Sequence, residues 1–510
     1  MSFEVNYEED LVPRIRDLID GYSKDSILKE YLQNADDSGA TELVVTFDKR
    51  IHASLIDTQY EVAKETSLIL YNNANFKDRD FDAIRKISAQ GKIEDAGSTG
   101  RFGQGFSSSF SISDHPSFVS SGKAYWFDVL KRAVAKGKDR SIQGWILEDD
   151  KNEISQWLKT FEINEDLPGT TFRLPLRNEK TANQSPISHE VFKYKDFLSW
   201  CDEWKGNTSG LLFLRHIQKL VLQEIDENGK KVVHLEIFTN NSEEIHGYNN
   251  KIEDEFSYAP LKTCKDWKNC YRTLPLFSYK HSFTIRFFDR SNNTFQDYEE
   301  IWAVVNGLFR GEEDSLIDQA MKVLNISPNP RKVLPWAGVA ISLDQKGYVQ
   351  KNKKSNYHTF LALPITSKQP VHIHGWFDLN PKRTEITHEG AGEDKNILIE
   401  WNRLLFKEGV GIAWAYLIDF IKKECDPQKY YSIWPKNNDD VFDRYMLEGF
   451  YKKISELECF KTKHKEKICW LTPKDDVYFF RSNSNKTILE AFENHFSIIS
   501  PRPTQNIIDG

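Results

Sequence analysis

The sequence predicts a mixed α/β protein of three domains. The 510 residues exceed what a single core normally organises. Segments with apolar residues at helical spacing alternate with short apolar runs typical of strands. A polar, proline-containing stretch at 178–186 separates the first such group from the next. We therefore expect domains at 1–180, 181–390 and 391–510, the last of them helical.

Composition narrows the class of protein. Hydrophobic residues make up 39% and charged residues 28% of the chain, as in folded globular proteins. The net charge of -8 and the lack of a long basic run disfavour a nucleic-acid binder. The acidic start MSFEVNYEEDL does not resemble a signal peptide, and no apolar run reaches the ~18 residues of a membrane span. We expect a cytoplasmic protein without membrane contact.

The six cysteines contain no CxxC pair, so they predict reduced thiols and no disulfide framework. Cys459, His464 and Cys469 are a weak indication of zinc, and ordinary thiols explain them as well.

The elements of the first domain follow one another in a mixed order. A helix is predicted at 26–35, after a polar start suited to an N-cap, and the sequence DDSG ends it. A second helix is predicted to begin at Phe106. Strands are predicted at 41–47, 67–71, 117–120, 124–130 and 170–174.

The second domain is predicted to be α+β, with a helix at 316–324. The third carries an apolar stripe at helical spacing, from Trp401 to Ile421. Strands of the second domain are predicted at 220–223, 232–238, 282–288, 339–343, 359–363 and 371–377.

Three polar residues of the first helix share one face. Spacings of four and three bring Glu30, Asn34 and Asp37 together beside its apolar stripe. An amide oxygen suits Mg²⁺, and a carboxylate one turn earlier could orient and deprotonate an attacking water. A solvated helix face is the alternative reading of this trio alone.

A glycine-rich segment precedes the helix that begins at Phe106. In GSTGRFGQGF, Gly100, Gly103 and Gly105 allow the backbone N–H groups to approach and cradle a phosphate. Lys92 upstream could add a positive charge. Taken alone, the segment is equally well a flexible connector, and Lys92 a solvated surface lysine.

Two strand ends complete the candidate set. The run LILYNNANF ends in amides, of which Asn72 could both donate to and accept from a base edge. The run LPGTTF places the hydroxyl of Thr170 at the start of a strand, where it could reach a phosphate or a water. Simple turns explain each run as well.

In this order, over about 140 residues, the four segments resemble the N, G1, G2 and terminal threonine boxes of the GHKL ATPase superfamily. Four segments resemble those of sacsin-like proteins in particular: YLQNADDSGAT, LYNNANF, TGRFGQGFSSSFSISDHPSF and GTTFRLPLR. Downstream, PWAGVAISL, FLALPITSKQPVHIHGWFDLNPKRTEI and YYSIWP also resemble the sacsin repeat unit. The resemblance implies a Bergerat-type α/β sandwich at 1–180 and a transducer-like middle domain.

The resemblance also implies roles within an ATP and Mg²⁺ site. Glu30 takes the place of the general base, Asn34 of the Mg²⁺ ligand and Asp37 of a supporting polar residue. The glycines and Phe106 match the lid and phosphate segment, and Thr170 the last box, so that it belongs with them to the phosphate end. One departure concerns the segment that would contact the adenine base. The superfamily usually has Asp where this chain has Asn72, and this chain has Ala74 and Phe76 in place of two glycines.

Members of the superfamily often complete the site with a cation from the next domain. Lys382 and Arg383 are the candidates here, with a loop-exposed basic pair as the alternative. The leading hypothesis is a weak ATPase with a chaperone or scaffold role. Its partner would be a protein client or another chaperone, and a homodimer is a further option. A nucleotide-gated module without hydrolysis and an ATPase of a regulatory or defence system are the alternatives.

Overall fold

The computed structural model describes residues 3–6, 11–20, 24–85, 104–134, 140–150, 152, 154–162, 169–255, 274–326, 333–350, 355–380, 383–388, 393–426, 429–438, 440–464, 467–473 and 498–499. These residues form a mixed α/β protein, which confirms the predicted fold class at that level. The chain divides into two compact units. Unit 1 comprises Met1–Thr239 with Phe283–Tyr298, and unit 2 comprises Asn240–Ser282 with Glu299–Gly510.

The described helices include eight in unit 1 and five in unit 2. Those of unit 1 are α1 (Leu11–Ile19), α2 (Lys24–Asp37), α3 (Asp78–Arg85), α4 (Gln104–Ser107), α5 (Leu147–Asp150), α6 (Ser155–Leu158), α7 (Glu179–Gln184) and α8 (Tyr194–Lys205). Those of unit 2 are α9 (Ser242–Glu255), α10 (Ser315–Leu324), α11 (Glu393–Leu404), α12 (Gly411–Ile421) and α13 (Asp443–Ile454). A π-helical turn at Leu405–Val410 joins α11 to α12.

The strands of unit 1 are β1 (Phe3–Asn6), β2 (Glu42–Asp48), β3 (Ser67–Asn72), β4 (Ser117–Ser120), β5 (Lys123–Phe127), β6 (Arg140–Ile146), β7 (Thr170–Pro175), β8 (Lys219–Ile225) and β9 (Lys231–Thr239). Two long strands, β10 (Leu276–Asp289) and β11 (Thr294–Leu308), have residues in both units. Those of unit 2 are β12 (Trp336–Leu343), β13 (Ser355–Thr359), β14 (Leu361–Ser367), β15 (His372–Gly375), β16 (Phe460–His464), β17 (Lys467–Leu471) and β18 (Ile498–Ile499).

The sheet of unit 1 has the strand order β1-β6-β5-β4-β7-β3-β2-β8-β9-β10. β3 lies antiparallel between β2 and β7, and β2 pairs in parallel with β8, Glu42 opposite Lys219. β8 and β9 therefore extend the sheet of the first predicted domain. The boundary predicted near residue 180 lies inside unit 1, because the strands that follow it complete that unit's sheet.

Both faces of this sheet are covered. Along β5, Tyr125 and Phe127 face the side of α4, whose Phe106 lies 4.7 Å from Phe127 between ring centroids. Ala124 and Trp126 face the other side, where they join a buried cluster with Trp157. Alternate residues of a strand point to opposite faces, so burial of both faces explains the lack of polar alternation in these strands. β1 and β6 were not predicted from the sequence.

In unit 2 the strands β11, β12, β15, β13 and β14 follow one another in the sheet. The predicted strand at 359–363 is instead two strands with a turn between them. Phe360 has a φ of 61°, and Thr359 of β13 lies opposite Leu361 of β14. A positive φ is incompatible with a continuous strand, and the aromatic sequence gives no sign of it.

The carboxy-terminal part of unit 2 contains the predicted helical stripe, which is buried. Its residues are Trp401, Leu404, Leu405, Val410, Trp414, Leu417 and Ile421. A second sheet of three strands, β17-β16-β18, follows these helices, so the region predicted as helical also contains strands. The boundary predicted near 390 lies within unit 2. No helix in the described part of the chain combines the length and apolarity of a membrane span.

Candidate functional site

A cavity in unit 1 brings the four sequence segments together. It is lined by Tyr31, Asn34, Ser38, Asn72, Phe76, Ile84, Phe106 and Phe172. Tyr31, Asn34 and Ser38 come from α2 and the turn after it, Asn72 from the end of β3, Phe106 from α4 and Phe172 from β7. The segments singled out from the sequence thus share one cavity, although they are spread over some 140 residues.

The walls of the cavity are aromatic. The ring of Phe172 lies 5.0 Å from Tyr31, 6.0 Å from Phe76 and 6.0 Å from Phe106 between centroids. Tyr31 is fully buried, which raises the pKa of its phenol, and its hydroxyl shares a 2.7 Å hydrogen bond with Ser109. The cavity has a volume of about 20 Å³, little more than one water needs, so a flat heteroaromatic ring can stack on these walls only if they move apart. Of these rings, the sequence indicates only Phe106 as a binding residue.

Asn34 supplies a polar group at this cavity. Helical spacing along α2 places it one turn after Glu30, and both residues are half-buried. Within the described residues, the side-chain amide of Asn34 has no hydrogen-bond partner. It is therefore available to a ligand, as an amide oxygen for a cation or an N–H for an acceptor. Glu30 is not among the residues that line the cavity.

Asp37 has a different environment. Its carboxylate is almost fully buried and accepts a hydrogen bond from the guanidinium of Arg215. The neighbouring Asp36 accepts from the backbone N–H groups of Arg215, His216 and Ile217, at 3.2, 2.8 and 3.1 Å. These contacts hold the end of α2 to the segment before β8. Sequence reasoning missed Arg215, because nothing near it in the chain indicates a partner 178 residues earlier.

Asn72 and Thr170 lie opposite each other on paired strands. The hydroxyl of Thr170 donates to the carbonyl oxygen of Ala74 at 2.8 Å and lies 2.7 Å from the hydroxyl of Ser120, which in turn accepts from the N–H of Phe76 at 2.9 Å. Thr170 is fully buried, and these contacts fix the loop after β3. The structure therefore places Thr170 beside Asn72, the residue expected to contact the nucleotide base. The hydroxyl of Thr170 is hydrogen-bonded to protein groups.

The backbones of Gly169 and Asn72 approach each other closely where β3 ends and β7 begins. Gly169 has a φ of +153°, and a Cβ placed on it would lie 2.4 Å from the carbonyl oxygen of Asn72. Its N–H donates to the side-chain oxygen of Asn75 at 2.9 Å. Only glycine fits this position, which explains the residue in the predicted turn before Thr170.

Several predicted site residues fall outside the described residues. These are Lys92, Gly100, Gly103 and Lys382; of Gly105 only the backbone is described, in α4. Arg383 lies in unit 2 with a φ of 55°, and its guanidinium donates to the carbonyl oxygen of Thr359 at 3.5 Å. His464 is described only in its backbone, and no cluster of histidine, cysteine or acidic residues fit for a metal ion occurs in the described part of the chain.

The loop that carries Arg383, residues 378–387, is anchored within its own unit. Asn402 of α11 accepts from the N–H of Asp378 at 2.9 Å and donates to the carbonyl oxygens of Asp378 and Thr387 at 3.0 and 2.9 Å. This buried amide fixes both ends of the loop that carries the predicted basic pair. Its role is structural and has no counterpart among the sequence predictions.

Comparison with known proteins gives a consistent family match. Residues 8–236 match the model of the Sacsin domain family. The chain is 26% identical over 466 residues to Sacsin from Homo sapiens, an overlap of 84% of this chain. The chain spans about a tenth of the length of that relative, which is covered to 10%. The resemblance to sacsin-like proteins predicted from the motifs is thereby confirmed.

Two solved structures are similar at low TM-scores. The N-terminal domain of a DNA repair protein gives a TM-score of 0.30 at 14% identity, covering 78% of this chain and 97% of that one. The B-subunit of the DNA gyrase from Myxococcus xanthus gives a TM-score of 0.27 at 9% identity, with the same coverage.

Proposed function

We propose that this sacsin-like chain binds ATP with Mg²⁺ in the aromatic cavity of unit 1 and hydrolyses it slowly. One observation carries the proposal: residues of all four sequence segments line the same cavity. Scattered motifs that serve only as local turns and solvated faces have no reason to converge. Aromatic side chains with a few polar groups are also the ordinary lining of a cofactor site.

The chemistry of the residues present suits the proposed ligands. A purine would stack among the aromatic rings around Phe172 once these move apart, and Asn72 lines the same cavity, where it could contact the edge of the base. Asn34, whose amide has no partner among the described residues, provides an oxygen of the hard type that Mg²⁺ prefers. Bound Mg²⁺ would neutralise phosphate charge. Gly100, Gly103, Gly105 and Lys92 remain the sequence-based candidates for the phosphates.

Hydrolysis is assigned to Glu30 by the resemblance and by its place one turn before Asn34. A carboxylate at that position can orient and deprotonate a water near the terminal phosphate. A slow turnover suits a protein that uses the nucleotide to select between conformations, because gating requires only that ATP favour one of them. The chaperone or scaffold role, a protein client, and Lys382 with Arg383 as completing cations follow from the resemblance alone and belong to the proposal.

The test is nucleotide binding by calorimetry together with phosphate release, with and without Mg²⁺. Wild type is compared with Glu30→Ala and Asn34→Ala, and with Glu61→Ala and Asn228→Ala as matched controls on exposed turns of unit 1. Loss of turnover with retained binding in Glu30→Ala supports an ATPase. Binding without turnover in wild type supports the nucleotide-gated module instead, and no binding in wild type refutes the nucleotide site.

A further inference from the structure

The orientation of the Asn72 amide is fixed by the protein itself. Asn72 ends β3, is 6% exposed and lines the cavity. Its side-chain oxygen accepts a hydrogen bond from the backbone N–H of Ala74 at 3.1 Å, a local turn contact typical of asparagine. A backbone N–H can only donate, so the amide must present its oxygen to Ala74.

The other branch of the amide is therefore an N–H₂ group. Within the described residues, this nitrogen has no hydrogen-bond acceptor, whereas the oxygen accepts one hydrogen bond, from Ala74, and keeps a second lone pair. Thr170, on the opposite strand, donates its proton to the carbonyl oxygen of Ala74 and so offers no proton to a ligand. The hydrogen-bonding group of Asn72 that has no partner among the described residues is thus a donor, while its oxygen is turned toward Ala74.

A donor at this position matches one class of purine better than another. The 6-amino group of adenine is itself a donor, and a carboxylate would accept from it. An amide N–H₂ facing that amino group would bring two donors together and leave one unsatisfied, which is costly in a desolvated site. The 6-oxo group of hypoxanthine or guanine is an acceptor and would satisfy the Asn72 nitrogen.

We propose that Asn72 makes this pocket favour 6-oxopurine nucleotides over adenine nucleotides, an inference that rests on the proposed nucleotide site. Asn72 acts here as a specificity residue, through the edge of the base and not through the phosphates. ATP remains a ligand, held by the aromatic walls and the phosphate contacts. The expected preference is about tenfold in Kd, equivalent to about 1.4 kcal/mol.

The direct test compares the Kd values of ATP, ITP and GTP, all with Mg²⁺, on wild type and Asn72→Asp. ITP differs from ATP in carrying an oxo group at position 6 and a proton on N1, and it lacks the 2-amino group of GTP, so it isolates the edge that Asn72 would contact. Asn72→Asp keeps an oxygen for the Ala74 N–H and replaces the donor with an acceptor. We expect ITP to bind wild type about tenfold more tightly than ATP, and Asn72→Asp to shift that ratio at least tenfold toward ATP.

Asn75→Asp is the matched control. It makes the same change of charge in the same loop, and it keeps an oxygen for the N–H of Gly169, its present partner. Asn75 is exposed and does not line the cavity, so the ITP to ATP ratio should stay at the wild-type value. A melting curve for each variant establishes that it is folded.

The outcomes separate this inference from the proposed function. Tighter binding of ATP than ITP by wild type, with no change of the ratio in Asn72→Asp, overturns the inference and leaves the nucleotide site intact. Equal shifts of the ratio in Asn72→Asp and Asn75→Asp also overturn it, since charge and not the donor would then be responsible. If wild type and Asn72→Asp bind none of the three nucleotides, the proposed function itself fails.

Discussion

The carboxylate of Asp37, at the end of α2, is paired with the guanidinium of Arg215 across 178 residues of chain. The side chains of Asp37 and Arg215 are 1% and 10% exposed. The pair fixes the end of the helix that carries Asn34, so the position of a candidate ligand depends on a residue far away in the sequence. Removal of either partner would leave a buried charge without its closest counterpart.

We expect Arg215→Ala to destabilise unit 1 by about 3 kcal/mol, since breaking one side of a buried ion pair is costly. The free energy of unfolding in urea measures this. Arg286→Ala, which breaks the exposed pair with Asp297, serves as the control and should cost less than about 1 kcal/mol. Equal effects of the two substitutions would contradict the structural role of the Asp37–Arg215 pair.

Three buried histidines in unit 2 predict a loss of stability in acid. His358 shares a 3.1 Å hydrogen bond with His372, and His374 lies opposite His358 in the parallel strand pair. Burial lowers the pKa of His372 to about 4 and of His374 to about 3, and lowers that of His358 as well.

The direction of the pH effect follows from these shifts. Between about pH 3 and 6.5 these histidines bind protons in the unfolded chain but stay neutral in the folded protein. The free energy of unfolding therefore falls as the pH falls through this window. Above about pH 6.5 the stability from the neutral rings is fully present. By about pH 4.5 each histidine should cost on the order of 2 to 3 kcal/mol.

Melting curves between pH 7.5 and 4.5 test this dependence. His374→Asn keeps an acceptor for the N–H of Phe360, its 3.4 Å partner, but cannot be protonated, so its stability should vary less with pH than that of wild type. Asn228→Ala, at an exposed turn of unit 1, is the control and should follow the wild type. An unchanged slope in His374→Asn would show that other groups govern acid unfolding.

Substitution of Gly169 should be more damaging than substitution of an ordinary turn glycine. In Gly169→Ala the new Cβ would meet the backbone oxygen of Asn72 at 2.4 Å and the ring of Tyr71 at 2.6 Å, in addition to the strain of a positive φ. Gly229→Ala, with a φ of +84° and open space around it, carries the strain alone.

We expect about 1 kcal/mol for Gly229→Ala and clearly more, at least about 2 kcal/mol, for Gly169→Ala. Urea unfolding of both variants measures the difference. Nucleotide affinity should also fall in Gly169→Ala, because the carbonyl that is displaced belongs to Asn72. Similar free energies of unfolding for Gly169→Ala and Gly229→Ala would mean that the backbone where β3 ends and β7 begins can shift at little cost.

Binding of Mg²⁺ and ATP should raise the stability of unit 1. A ligand at one hundred times its Kd adds about 2.7 kcal/mol if it binds the folded state alone. Removal of Mg²⁺ with a chelator should reduce the effect in wild type but not in Asn34→Ala, if Asn34 holds the cation. Asn228→Ala should respond to the chelator as wild type does, and a chelator response in Asn34→Ala equal to that of wild type would contradict the assignment.

The sequence by itself determined the local features of this protein. The helical spacing of Glu30, Asn34 and Asp37 and the apolar stripe from Trp401 to Ile421 follow from periodicity, the buried strands follow from short apolar runs, and the structure contains each of them. Periodicity works there because it reports which side of an element is buried, a property of neighbouring residues.

The tertiary structure alone decided which distant groups meet. The pairing of Asn72 with Thr170, the contact of Asp37 with Arg215 and the extension of the first sheet by β8 depend on strand register and sheet order. These are set by the sum of packing over a whole unit, and no local pattern encodes them. The orientation of the Asn72 amide is the clearest example. An asparagine side chain has both a donor and an acceptor, and the hydrogen bond from the N–H of Ala74 fixes on which side each of them lies.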